Sequence, residues 1–213
     1  MAWSPRTSRS GIEYGGSDSQ YYWNSSINPN ATFQLCLANC TTYAYGRVQE
    51  EGLPKPVTTI RNANNWHTVV NTAEDWSLLN YTSGMVLNQG DIVEWSANHV
   101  AVVEYQGTNP TVSASWYTDD NGHVYGSRTT AVMGNTLQSV SNWMIANYPT
   151  RFFHTNTLTN ESRLAGNSQN PLYVLRYTGS TPPTPPTPTG LDPELIVAFT
   201  LNGKKKRLRI VIE

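Results

Sequence analysis

Cysteine is nearly missing from this chain: Cys36 and Cys40 are the only two in 213 residues. So few thiols exclude a disulfide-built scaffold and leave core packing to hold the fold. If FQLCLANCTTYAYGR is helical throughout, thiol-bearing residues four apart have Cβ atoms about 5 to 6 Å from each other. A disulfide needs roughly 3.8 Å, so a bridge between the two is not expected. Histidine is equally sparse, with His67, His99, His123 and His154 scattered singly, which does not supply the closely spaced ligands of a zinc site. Charge is thin as well. Charged residues make up 14% of the chain and the formal net charge is −1, so no global field argues for nucleic acid or an anionic membrane as partner. There is no apolar run of membrane-spanning length, and MAWSPRTSRSGIEYGG lacks the basic region and apolar stretch of a signal peptide. The expectation is a soluble protein that carries no export signal.

What the chain does have is enough apolar sequence, 38%, for one sizeable core. Residues 1–178 read as one domain. Its opening thirty residues, rich in Ser, Asn, Gly and aromatics, predict a surface arm with turns and little regular structure. A helix is expected over residues 40–51, with Asn39 as N-cap and the glycine of EEG at its C-terminal end, before GLPKPV forbids continuation. NANNWHTVVNTAEDWSLL predicts one or two short helices. DIVEWS, HVAVVEYQ and TVSASWYT then read as an antiparallel meander, and LYVLRYT as a last strand. Residues 179–190, GSTPPTPPTPTG, form a Pro/Thr-rich linker favouring polyproline II. Residues 191–213 read as a short β-hairpin turning at Asn-Gly, marginal alone and so of binding or assembly type. Its run Lys204, Lys205, Lys206, Arg207 and Arg209 fits either a solvated turn or contacts to anionic phosphate-bearing polymers.

Cys40 stands where a helix should start, against the positive end of the helix dipole, which favours thiolate over thiol. A nucleophile also needs a base within hydrogen-bond reach, and His99 in GDIVEWSANHVAVVE is the candidate. Strand alternation puts His99, Ala101 and Val103 on one face and Val100, Val102 and Glu104 on the other. Small Ala101 leaves His99 room to approach the helix. A lone strand histidine is also compatible with a core or rim position.

Taken together and in this order, NCTTYAYGR, NANNW and GDIVEWSANHVAVVE resemble the CHAP family, the cysteine- and histidine-dependent amidohydrolase/peptidases of the papain-like superfamily. The resemblance is good over residues 39–116 and holds in outline for the rest of 1–178. It implies an α+β, papain-like fold in which an N-terminal helix carrying the nucleophile packs on an antiparallel β-sheet. It further implies a peptidoglycan hydrolase, either an N-acetylmuramoyl-L-alanine amidase or an endopeptidase, of the kind found in phage endolysins, tail lysins and wall-remodelling enzymes. Cys40 matches the nucleophile and His99 the general base. Such an enzyme would be phage-encoded, reaching bacterial peptidoglycan from the host cytoplasm after membrane permeabilisation or from the virion. The backbone N–H of Cys40, aided by the Asn39 side chain, is placed to hold an oxyanion, although Asn39 is also needed as a cap.

The family's third residue, usually Glu, Asp or Asn on the strand after the histidine strand, has no counterpart in TVSASWY. A hairpin centred near Gly107 would set Ser115 opposite His99, with Ser113 on the same face. The candidates are therefore Ser115, then Ser113, then Glu104, with Asp119 or Asp120 able to fold back from the loop. Trp66, Trp95, Trp116 and Tyr117 suit the rim of a substrate groove, and core packing accounts for them equally well. No alternating aspartates precede Cys40, so the resemblance gives no support for calcium, and an enzyme without metal or other cofactor is expected. The competing class is a non-catalytic virion or wall-binding component on the same scaffold, docked to a virion protein through residues 191–213. A general cysteine protease or a transglutaminase-type transferase is a third reading.

Overall fold

In a computed structural model the described residues are 3–31, 39–115, 136–164, 170–179, 194–201 and 204–211. The first segment departs from the expected loose arm. It contains a short helix, α1 (Ser19–Trp23), whose Tyr22 and Trp23 are buried together with Ile12. Trp23 Nε1 donates to the Ile12 carbonyl at 2.8 Å. The aromatics that suggested a surface arm instead bring the segment into the core, because burying an aromatic side chain is worth several times a single turn hydrogen bond.

Helix α2 (Cys40–Glu50) starts and stops where capping chemistry says it should. Asn39 is extended (φ −116°, ψ 129°), and its side chain accepts from Thr41 N. At the other end Gly52 takes φ 74°, while Gly52 N bonds to the Gln49 carbonyl and Leu53 N to that of Val48. That pair of bonds is a Schellman motif, which needs the left-handed residue glycine supplies. Two 3₁₀ turns follow, Ala63–Val69 and Thr72–Glu74, as the two short helices expected there. WSLL belongs to neither; it opens strand β1 (Trp76–Asn80).

The meander is present as β2 (Ile92–Trp95), β3 (His99–Tyr105) and β4 (Thr111–Ala114), and the last expected strand is β6 (Tyr173–Tyr177). Between them lie elements that the sequence pattern did not suggest. These are α3 (Leu137–Asn147) with a Thr136/Ser139 capping box, α4 (Pro149–Phe152), β5 (His154–Thr157) and α5 (Leu158–Leu164). All six strands join one antiparallel sheet in the order β1-β6-β2-β3-β4-β5. Helices on an antiparallel sheet make this an α+β fold.

Both faces of the central strands are covered, which explains apolar runs where a half-exposed strand would alternate. On one face Ile92, Val100, Val102 and Leu175 pack with Cys40, Tyr43, Ala44 and Val48 of α2. On the other, Val93, Trp95, Ala101, Val103 and Val174 pack with Leu158 of α5. The expected division of β3 into two faces is thus realised. Helix α2 lies on one side of the sheet and α5 contacts the other, with His99 at the strand end between them.

β7 (Glu194–Leu201) and β8 (Lys204–Val211) form a separate two-stranded antiparallel sheet. The linker after Gly179 and the Asn-Gly turn lie outside the described residues, as does Cys36. Among the described residues no helix is long and apolar enough to cross a membrane.

Candidate active site

Cys40 is the first residue of α2, a free cysteine, 6% exposed. Its Sγ donates toward the carbonyl oxygen of Asn98 at 3.9 Å, and the Cys40 side chain is one of the groups that favour the charged form of the His99 ring. His99 Nε2 is 2.7 Å from Glu161 Oε1. Burial alone would disfavour a charged His99, but the Cys40 thiol and the Glu161 carboxylate outweigh it and push the ring up to about 9. Glu161 is fully buried on α5. Desolvation works to raise its pKa, yet donation from His154 and His99 holds it below the ordinary carboxylate range. His154 Nε2 sits 3.0 Å from both carboxylate oxygens and its Nδ1 2.9 Å from the Thr150 carbonyl. Asn156 Nδ2 donates to Glu161 Oε2 at 2.8 Å. Glu161 therefore receives donors on both oxygens, which is what an ionised carboxylate in the interior requires.

Among the described residues the carboxylate on the His99 ring is Glu161, and the structure places none of the three sequence candidates there. Glu104 faces α2 and takes Arg47 Nε and Nη2 at 2.9 and 3.0 Å. It also accepts from Trp3 Nε1 and Arg6 N, so it neutralises a buried arginine and does not reach His99. Ser113 donates to Glu104 and accepts from Tyr43 Oη, on the same side of the sheet. Ser115 fails by one residue of register. Val102 pairs with Ser113 and Val103 with Val112, with an irregularity between Val103 and Tyr105. Continuing that register places Ser115 opposite Val100, and a slip of one reverses the face. Asp119 and Asp120 lie outside the described residues.

The aromatic rim needs correcting too. Trp66 is wholly buried and donates to the Arg61 carbonyl. Trp95 is buried against His99, ring centroids 5.4 Å apart, and donates to Ser162 Oγ on α5. Both are core residues, while Trp116 and Tyr117 lie outside the described residues. Asn39 serves as the cap through Oδ1, which accepts from Thr41 N and Oγ1 at 2.9 and 2.7 Å. Its amide nitrogen has no partner among the described residues.

A cleft of about 430 Å³ opens beside Cys40, lined by Asn30, Asn39, Arg61, Asn65 and Asn98 among others. Arg61 is the one charged side chain lining it among the described residues. Asn98 precedes His99 in a left-handed conformation (φ 62°), and its Oδ1 accepts from Asn64 N at 3.3 Å. The NANNW turn is thereby tied to the histidine strand. His67 of the same turn is held by Glu94, Nδ1 to Oε1 2.7 Å, and stacks on Tyr173.

Sequence reasoning missed Glu161, His154, Asn98 and Asn30. One signal for Glu161 was available: in LTNESRL, Leu158 and Glu161 are three apart and share a helix face. A carboxylate on the same face as the first apolar residue of a short helix points inward.

A buried Cys/His/Glu chain at a helix start is equipped for nucleophilic attack on a carbonyl. No protein-family model, no curated protein and no solved structure matches the chain.

Proposed function

We propose that this protein is a cysteine hydrolase of amide bonds on a papain-like, CHAP-type scaffold, acting on bacterial peptidoglycan as amidase or endopeptidase. The observation that carries the reading is that Cys40, at a capped helix start over an open cleft, reaches the carbonyl of Asn98 directly before His99, while Glu161 Oε1 holds the His99 ring at 2.7 Å. The wall substrate is supported by the resemblance of NCTTYAYGR, NANNW and GDIVEWSANHVAVVE to the CHAP family.

In this mechanism the Cys40 thiolate attacks the scissile carbonyl carbon, forming the C–S bond as the C=O pair moves to oxygen. The Cys40 backbone N–H and Asn39 Nδ2 donate to that oxyanion. Collapse breaks the C–N bond while protonated His99 gives its proton to the leaving amine. Water then attacks the thioester and surrenders a proton to His99. The C–S bond breaks, and the acid and the free enzyme are released. Glu161 keeps the ring oriented and stabilises the imidazolium. Residues 191–213, whose strands β7 and β8 form a two-stranded sheet of their own, are assigned to docking on the wall or on a virion protein.

The test is turbidity loss of purified Gram-positive cell walls with wild type, Cys40→Ala and His99→Ala, followed by mass spectrometry of the fragments. Lysis by wild type alone is expected, and the new termini tell amidase from endopeptidase. Equal lysis by Cys40→Ala, or none by wild type across several wall chemotypes, sinks the proposal.

A further inference from the structure

Asn28 and Asn30 stand two residues apart before α2, and their side chains have opposite fates. Asn28 is fully engaged: Nδ2 donates to the carbonyls of Tyr21 and Thr42, and Oδ1 accepts from Asn30 N. The Asn30 backbone is likewise pinned, because Thr42 Oγ1 donates to its carbonyl at 3.0 Å. Yet both ends of the Asn30 carboxamide, Oδ1 and Nδ2, are buried without a hydrogen-bond partner among the described residues, in a residue 1% exposed. Buried amides are almost always paired, and one left open requires an account. Asn30 also lines the cleft that holds Cys40.

We infer that Asn30 is a specificity-determining residue that recognises a secondary amide of the substrate, lying in the cleft next to the bond Cys40 attacks. The inference rests on the reading of that cleft as an amide-hydrolase site. A carboxamide offers one donor edge and one acceptor edge, the complement of a secondary amide's C=O and N–H. An ionic partner does not match a neutral donor and acceptor side by side, and a purely apolar one leaves both unpaired. Asn28 and Thr42 hold the Asn30 backbone in place, so the residue is positioned before substrate arrives and little backbone freedom is lost on binding. In a peptidoglycan substrate a secondary amide occurs both as a stem-peptide bond and as the acetamido group of the amino sugar. The chemistry recognised is the same, and the source is left to the test.

The experiment uses full-length, isotope-labelled Cys40→Ala protein, alone and combined with Asn30→Leu or Asn28→Leu. N-acetyl-L-alanine methylamide supplies peptide amides, and N-acetylglucosamine supplies the acetamido sugar. The Asn30 side-chain amide resonances are expected to shift with at least one probe while those of Asn28 stay in place. Asn30→Leu weakens that probe by about tenfold or more, a loss of about 1.4 kcal/mol. It leaves the melting temperature unchanged or higher, since an unpaired polar group is removed, whereas Asn28→Leu lowers it. A shift with one probe alone identifies the source. Three results overturn the inference: no shift with either probe, equal affinity in Asn30→Leu, or a melting temperature lowered as far as in Asn28→Leu. Probe binding without wall lysis by the wild type refutes the wall substrate and leaves the amide site standing. Wall lysis by Asn30→Leu at undiminished kcat/KM overturns the amide site and leaves the hydrolase standing.

Discussion

His99 Nε2 lies 2.7 Å from Oε1 of Glu161, a residue 62 positions further along the chain and on a different element. Replacing that carboxylate by its amide keeps the shape and removes the charge. Glu161→Gln is expected to remain folded and to lose about 10²- to 10⁴-fold in kcat, as when the orienting carboxylate of a catalytic triad is neutralised. The alkaline limb of the kcat/KM profile, set in wild type near the His99 value of about 9, moves to lower pH in the variant. An unmoved limb would mean that Glu161 is not coupled to the ring.

The same pair makes stability depend on pH. His99 is raised from 6.5 to about 9 on folding, so its contribution is complete below pH 6.5 and is lost as pH rises through about 9. Glu161 is lowered from 4.5, so its contribution is present above pH 4.5 and is lost as pH falls below that toward its folded value. Urea denaturation of wild type and Glu161→Gln across both windows tests this. The variant should show a smaller fall in stability between pH 6.5 and 9 and a flatter acid limb. Parallel curves in both windows would remove the coupling.

Glu104 gives the contrasting case, a buried carboxylate whose partner is structural. It meets Arg47, itself 0% exposed and 4.4 Å over the Trp3 ring, so the pair ties the N-terminal segment, α2 and β3 together. Removing one partner of a buried ion pair typically costs about 3 to 5 kcal/mol, since the other charge stays in the interior. Glu104→Gln should therefore lower unfolding free energy by that order while the folded fraction keeps kcat within a few-fold. A stable Glu104→Gln protein that has lost activity as Glu161→Gln does would return Glu104 to the catalytic group.

These contrasts show where sequence was legible. Cys40 and His99 could be placed because each is fixed by local rules: a cap at Asn39, a Schellman glycine at Gly52 and period-two alternation along HVAVVE. The meander β2-β3-β4 was legible for the same reason. Glu161 was not, because its approach to His99 depends on β5 pairing with β4, and His154, Thr155, Asn156 and Thr157 carry no apolar alternation to announce a strand. Ser115 was misplaced because register hangs on the irregularity at Glu104, which no residue type there signals. Trp66 and Trp95 were ambiguous because an aromatic residue suits a core and a groove equally. Asn30 could not be told from Asn28, since the two differ only in what the folded chain places around them.

The last prediction concerns how His99 is aimed. Asn98, immediately before it, holds φ 62°, and its carbonyl lies 3.9 Å from Cys40 Sγ. Asparagine tolerates this left-handed region and glycine adopts it freely, while a side chain branched at Cβ does not. Asn98→Gly gives up only the bond to Asn64 N and should keep kcat within a few-fold. Asn98→Val carries a left-handed penalty of about 1 to 2 kcal/mol, and relief of that strain turns the start of β3 away from α2. It should lose about tenfold or more in kcat and melt earlier, with Asn98→Ala between the two. Steady-state rates and melting curves across the three substitutions separate backbone from side chain: if glycine is as poor as valine, the Asn98 amide rather than its φ angle positions His99.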